Sequence, residues 1–281
     1  MLADDTIRSD IRSALPANGE LILADGELSL RGSRRLTRAI EDATPGIGWR
    51  VDVHPEPDPL SLHRRLVALH SQTGLWPLFT DEESMGEAGS RFRHSGISEC
   101  PLDSIRGLFG IDGRSDYEVQ EEDYCFVCGP LADPTGSLSI AGERSDLETL
   151  AELLDGGSDV GFARYSLPHS NPIVLVPAER PADSISRIGW IGASNQGWGA
   201  GDVAIVLRSW EERFGAYPVA ASRSTLELIV TRPPIDLASA RLVARELLHF
   251  CRYDTQFHGL GGIEPYAQSL VRSHQWKFWW D

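Results

Sequence analysis

Residues 187–215 constrain the fold more than any other stretch, because a glycine-rich loop passes directly into a helical pattern there. The stretch holds three tryptophans and six glycines in 29 residues. Glycines interrupt any regular spacing of apolar residues up to residue 201. From Val203 to Phe214, by contrast, apolar residues recur at helical spacing. Asp202 is a suitable N-cap and Gly215 a suitable stop. The pattern predicts a loop followed by an amphipathic helix.

The chain after residue 172 shows a regular succession of elements. Its pattern indicates strand, helix, strand, strand, helix, helix and strand. Predicted strands lie at 173–176, 217–221, 226–230 and 275–280, and predicted helices at 203–214, 237–252 and 263–273. This order resembles a ferredoxin-like split βαβ arrangement, with a mixed or antiparallel sheet and helices on one face. The predicted fold class is therefore α+β.

Three parts are expected along the chain. Residues 1–80 suit a smaller N-terminal α+β unit. Residues 81–160 carry 19 acids against 5 arginines, which indicates an acidic, partly loop-like segment. Those acids suit a solvated face or mobile insertion, and the alternative is a docking surface for a basic partner. Residues 165–281 are expected to form a C-terminal α+β domain.

Charge and hydropathy exclude several classes of function. The net charge of -15 opposes binding to nucleic acid. No apolar run approaches the ~20 residues that a membrane span needs. The N-terminus carries acids where a signal peptide has basic residues. We therefore expect a cytoplasmic protein that binds neither nucleic acid nor membrane.

Lysine and cysteine usage limits the possible chemistry. The chain has 25 arginines and one lysine, Lys277, so a phosphate-loop lysine is absent and a Schiff base could form only there. Four cysteines are too few and too scattered for a disulfide framework. Cys125 and Cys128 have the spacing of a zinc or redox motif, but a second ligand pair is missing. No metal and no cofactor are expected.

The last strand carries aromatic residues on both faces. Trp276, Phe278 and Trp280 alternate with Lys277 and Trp279. Core packing on both sides is the favoured interpretation, and a partner-facing Trp279 is the alternative.

Six residues of the opening stretch are candidates for a ligand- or partner-binding surface. They are Trp190, Asn195, Trp198, Arg208, Glu211 and Arg213. The packing of one helix does not account for these residues, because the helix has a separate apolar stripe for that purpose. Arginine suits two-pronged recognition of a carboxylate. Two alternatives remain: pairing with Glu211 or Glu212 on a solvated surface, or buried pairing that holds the fold.

Several motifs after residue 172 resemble one bacterial family. They are Leu207–Ala216, Pro233-Pro234, Phe250-Cys251 and the closing Trp276–Asp281. Together they resemble the domain of unknown function 4253 over roughly residues 172–281. The resemblance implies a Glu-His pair on the second helix, but here Glu246 is followed by Leu247. If that histidine is catalytic in relatives, this chain lacks it. The family implies no established activity.

Two classes of function remain open. The first is a non-enzymatic protein- or ligand-binding module, of an immunity or regulatory type. The second is an enzyme for a small carboxylate- or phosphate-bearing substrate, which Asn195, Arg208, Glu211 and Arg213 would surround. Convergence of these side chains in one concave pocket would favour the enzyme, and their spread would favour the module. The expected partner is a protein or a small anionic ligand.

Overall fold

The computed structural model describes the C-terminal half of the chain almost continuously. The described residues are 59–80, 134–140, 173–196, 198–251 and 259–280, with shorter pieces at 21–23, 49–51, 84, 124–125, 129–130, 142, 147, 150 and 153. Most of the acidic segment 81–160 lies outside them, so its predicted loop-like character stays a prediction.

One mixed sheet of seven strands organises the described residues. The strands are β1 (Leu21–Leu23), β2 (Trp49–Val51), β3 (Leu75–Thr80), β6 (Ile173–Pro177), β7 (Ala216–Ala221), β8 (Thr225–Val230) and β9 (Gln275–Trp279), with β4 (Tyr124–Cys125) and β5 (Gly129–Pro130) forming a separate pair. The spatial order is β1-β2-β6-β3-β7-β8-β9. Neighbours run antiparallel except β3 and β7, which are parallel. The α+β class and the mixed sheet are confirmed.

Strand β3 comes from the first 80 residues yet lies inside the sheet of the C-terminal region, between β6 and β7. All six of its residues are buried, as expected for an apolar strand with neighbours on both edges. The Trp76 indole Nε1 donates to the Pro218 carbonyl at 2.8 Å. In a split βαβ unit, a helix connects two strands, and a third strand lies between them in the sheet, as β3 lies between β6 and β7. Here that strand comes from outside residues 165–281, and β6 and β7 run antiparallel.

Six α-helices are described along their whole length. They are α1 (Pro59–Ala68), α2 (His70–Thr73), α3 (Ser184–Arg187), α4 (Ala200–Phe214), α5 (Leu237–Phe250) and α6 (Ile263–Leu270). Helix α4 begins earlier than predicted, because the Asp202 carboxylate reaches back to accept from the Gly199 N–H at 2.9 Å. Asp202 is thus the third residue of the helix rather than its N-cap. Gly215 ends α4 in the left-handed conformation with φ 57°, as predicted.

Helices α4 and α5 cover the face of the sheet that carries Trp276 and Phe278, which we call the Trp276 face. Trp210 of α4 packs against these two rings at centroid distances of 5.6 and 5.5 Å. Phe250 of α5 lies 5.1 Å from Phe278. Aromatic pairs of this kind contribute about 0.5–1.5 kcal/mol each beyond their burial. The predicted placement of the C-terminal helices on one face agrees with this packing.

The opposite face of the sheet, which we call the Phe79 face, carries a row of four directly paired residues. Phe79, Ala220, Glu227 and Lys277 are neighbours on β3, β7, β8 and β9. Side chains alternate between faces along a strand, so this row points away from Trp276 and Phe278. Helix α1 lies on this side, because His63 stacks on Phe79 at 5.0 Å.

Candidate functional site

Arg213 of α4 is held in a buried ion pair with Glu246 of α5. Its Nη1 donates to Glu246 Oε2 at 3.0 Å, and its Nη2 donates to Oε1. Arg213 also donates to Ser209 Oγ at 2.9 Å and to the Ser137 carbonyl at 3.2 Å. These contacts join α4, α5 and the short helical turn Pro134–Ser139, so Arg213 acts as a cross-link within the fold.

Both oxygens of the buried Glu246 carboxylate have donors. Oε1 accepts from Trp210 Nε1 at 2.7 Å as well as from Arg213, and Oε2 accepts from Ser137 Oγ as well as from Arg213. A buried carboxylate is tolerated when it is paired and fully hydrogen-bonded. Leu247, at the position where the resemblance implies a histidine, is buried in the core. Glu246 therefore has a structural role in this chain.

Arg208 pairs with Asp183, a partner that the sequence pattern does not predict. The guanidinium donates from Nε to Oδ1 at 2.5 Å and from Nη2 to Oδ2 at 2.6 Å. Arg208 is buried. The carboxylate that pairs with Arg208 comes from the turn Pro181–Asp183, which packs against α4, whereas the surface alternative predicted pairing with Glu211 or Glu212.

Glu211 is fully buried and binds the same turn. Its Oε2 accepts from the Ala182 N–H at 3.1 Å, and its Oε1 accepts from Arg180 Nε at 3.3 Å. Arg180 also pairs with Glu212 at 2.9 Å. Burial by itself lowers the pKa of Arg180, but the Glu211 and Glu212 carboxylates outweigh it and raise the pKa above its ordinary value. This cluster fixes the segment before α3 onto α4.

The loop between α3 and α4 is anchored by tryptophans. Trp190 is buried, donates to the Ser222 carbonyl at 2.7 Å and lies edge-on to Trp280 at 5.3 Å. Trp280 in turn donates to Gln196 Oε1 at 2.7 Å. Trp198 is partly buried and lies 5.6 Å from Phe250. The loop is thus tied to the β7–β8 hairpin and to the end of β9.

The six candidate residues are divided between two environments. Arg208, Glu211 and Arg213 are buried and engaged by partners from other elements, whereas Asn195 is exposed and Trp198 is partly exposed. Trp190 is buried beneath the loop. The three charged side chains are bound by different partners: Arg208 by Asp183, Glu211 by Ala182 and Arg180, and Arg213 by Glu246. Whether the six residues act together as a binding surface stays a prediction.

Sequence reasoning missed a polar pair on the Phe79 face. Glu227 is only 3% exposed, and its Oε1 lies 2.9 Å from Lys277 Nζ. Its Oε2 is buried and has no donor among the described residues. The available signal was a single carboxylate in the otherwise apolar strand Thr225–Val230. It was overlooked because strand alternation alone is equally consistent with an exposed glutamate.

A second buried polar group on this side is His63. Its Nε2 donates to the Pro77 carbonyl at 3.0 Å, and this assignment follows because a carbonyl oxygen can only accept. Complete burial lowers the pKa of His63 to about 4, although the hydrogen bond to Pro77 opposes the shift. The imidazole is neutral near pH 7 and serves as a packed core residue.

The described residues show neither a metal-ligand cluster nor a membrane-spanning helix. Within the described ranges, no three or more histidine, cysteine or acidic residues are grouped as a metal site would require. Cys128, one half of the Cys125–Cys128 motif, lies outside those ranges. No helix in the described part of the chain has the length and hydropathy of a membrane span.

Comparison with known proteins identifies one family. Residues 172–281 match the model described as a domain of unknown function (DUF4253), which confirms the resemblance over that segment. The match covers β6 to β9 and leaves out β3, although β3 lies in the same sheet. Neither the curated proteins nor the solved structures give a match to the chain.

Proposed function

We propose that the chain is a non-enzymatic binding module that holds a protein partner on its α3–α4 loop. We call Ile191, Asn195 and Trp198 the loop surface. One observation carries the proposal: the charged residues of α4 are engaged in internal pairs, while the loop presents side chains to solvent from a fixed backbone. Ile191 is 42% exposed, and Asn195 is exposed beside it.

The rigidity of the loop supports this proposal. Its backbone is closed by hydrogen bonds from Ser194 to Ile191 at 3.0 Å and from Trp198 to Ala193 at 3.3 Å. Below the backbone, Trp190 is fixed by the Ser222 carbonyl. A surface that is already ordered loses little conformational entropy on binding, which favours affinity without large contacts.

The chemistry of the loop surface favours a partner with an apolar contact region and backbone amides. Ile191 can enter an apolar depression, Trp198 can supply a flat aromatic edge, and Asn195 can both donate and accept hydrogen bonds. Residues 161–281 carry 11 acids and 12 basic residues, so this region is nearly neutral. We therefore expect association that depends only weakly on salt.

The alternative of an enzyme receives less support. An enzyme built on Arg208, Glu211 and Arg213 would need these groups available to a substrate. Each instead satisfies a partner within the fold. Removing them for substrate binding would strand Asp183 and Glu246 as unpaired carboxylates.

The proposal is tested by copurification from cells that express the protein naturally. Ile191→Glu should abolish recovery of a stoichiometric partner without changing Tm, because the side chain is exposed. The matched control is Ile235→Glu, since Ile235 is an isoleucine with 72% exposure at another place. Equal partner recovery by both variants, or no partner with the unmodified protein, would overturn the proposal.

A further inference from the structure

We propose that Glu227 and Lys277 form a binding site for a small zwitterion of the α-amino acid type. The site lies on the Phe79 face of the sheet and is separate from the loop surface. It does not depend on the proposed protein partner.

Glu227 has a buried acceptor without a donor among the described residues. The described residues include three buried glutamates, Glu211, Glu227 and Glu246. Glu211 and Glu246 receive hydrogen bonds on both carboxylate oxygens. On Glu227, Oε1 meets Lys277 while the buried Oε2 has no donor in the described structure. An unsatisfied buried carboxylate oxygen is costly, so a donor from outside the chain would stabilise it.

The cation that pairs with Glu227 is a lysine. The other ion pairs among the described residues use arginine, and Lys277 is the one lysine in the sequence. An arginine can bridge both oxygens of a carboxylate, as Arg213 does on Glu246. A lysine ammonium is a point charge that satisfies one oxygen and keeps further N–H donors. Lysine at this position therefore leaves both an acceptor and a donor available to a ligand.

The pair belongs to the row of four directly paired residues on the Phe79 face. Ala220 separates Glu227 from Phe79, and two strand spacings place these side chains about 10 Å apart. Between them, Ala220 contributes only a methyl group. Lys277, whose side chain is 27% exposed, links the buried acceptor to the solvent.

The donor and acceptor specify the ligand class. An ammonium group would donate to Glu227 Oε2, and a neighbouring carboxylate would accept from Lys277 Nζ. The four charges alternate in sign, so the complex buries no net charge. An amine alone would leave the lysine donors unused, and a carboxylic acid alone would leave Oε2 without a donor.

Binding can be observed directly because the protein has one lysine. Selective ¹³C labelling of lysine gives a single Cε signal from the site. The probes are the standard amino acids, added singly, with the matching decarboxylated amine and deaminated acid as controls. We expect at least one amino acid to shift this signal to saturation, and its two single-group controls to bind about tenfold more weakly or worse.

Two variants test the mechanism by calorimetry. Glu227→Gln removes the acceptor charge, and Lys277→Arg keeps the positive charge but covers both carboxylate oxygens. Each should weaken binding of the selected amino acid about tenfold or more. The control Arg241→Lys changes an exposed pair with Glu264 and should leave binding unaltered. Absence of any amino acid response in the unmodified protein, or undiminished binding by Lys277→Arg, would overturn the site.

Discussion

Arg213 and Glu246 lie on different helices and are joined through both oxygens of a fully buried carboxylate. The pair is 33 residues apart in the sequence. This contact turns Arg213 of α4 inward to α5, and we expect the stability of the C-terminal region to depend on it.

Arg213→Ala should lower the free energy of unfolding by about 3–5 kcal/mol, because it leaves Glu246 buried without its cation. Urea denaturation measures this loss. Arg241→Ala is the control, since its pair with Glu264 is exposed. Equal effects of the two substitutions would contradict a structural role for the buried pair.

Gly192→Ala should destabilise the loop by about 1–3 kcal/mol, the usual cost of overpacking. A Cβ at this position would lie 2.2 Å from a ring carbon of Trp190. The control is Gly259→Ala, because a Cβ there meets nothing within 4 Å. Thermal unfolding followed by tryptophan fluorescence compares the two; an unchanged Tm for Gly192→Ala would show that the loop is not tightly packed.

His63 should make stability fall as the pH is lowered from about 6.5 to about 4. The unfolded histidine takes up a proton near its ordinary pKa, whereas the folded one does so only near pH 4, so protons favour the unfolded state in this window. The loss amounts to about 3 kcal/mol at most. His63→Gln keeps a donor for Pro77 and should show a shallower decrease in urea titrations across these pH values. Parallel curves for the two proteins would contradict the assignment.

Residues 165–281 alone should not fold into a stable monomer. Without β3, both β6 and β7 expose backbone edges, and such edges promote aggregation. Size-exclusion chromatography and thermal unfolding of this segment test the prediction. A cooperative monomer would instead support the independent C-terminal domain that the sequence pattern predicts.

Local patterns predicted the elements of the C-terminal region well, because caps and periodicity depend on neighbouring residues. Gly215 ends α4 as predicted, and α5 begins at its predicted residue, where Asp236 accepts from the Ser239 N–H at 2.8 Å. The partners of α4 could not be predicted in this way. Asp183 meets Arg208 only because the chain folds back across 25 residues.

The same limit explains the position of β3 and the polar pair on the Phe79 face. The apolar run of β3 predicts a strand but not its neighbours, since these depend on tertiary packing. Glu227 and Lys277 are 50 positions apart, and only the pairing of β8 with β9 brings them together. Their hydrogen bonding is therefore visible only in the fold.

The most direct test of the account is site-specific photo-crosslinking in cells that express the protein naturally. A photoreactive residue replaces either Asn195 on the loop surface or Glu212, whose side chain is 47% exposed on α4. If the loop surface binds the partner, position 195 gives a discrete cross-linked partner and position 212 gives none. Cross-linking from position 212 alone would contradict this prediction. It would place the binding surface on the polar side of α4 instead.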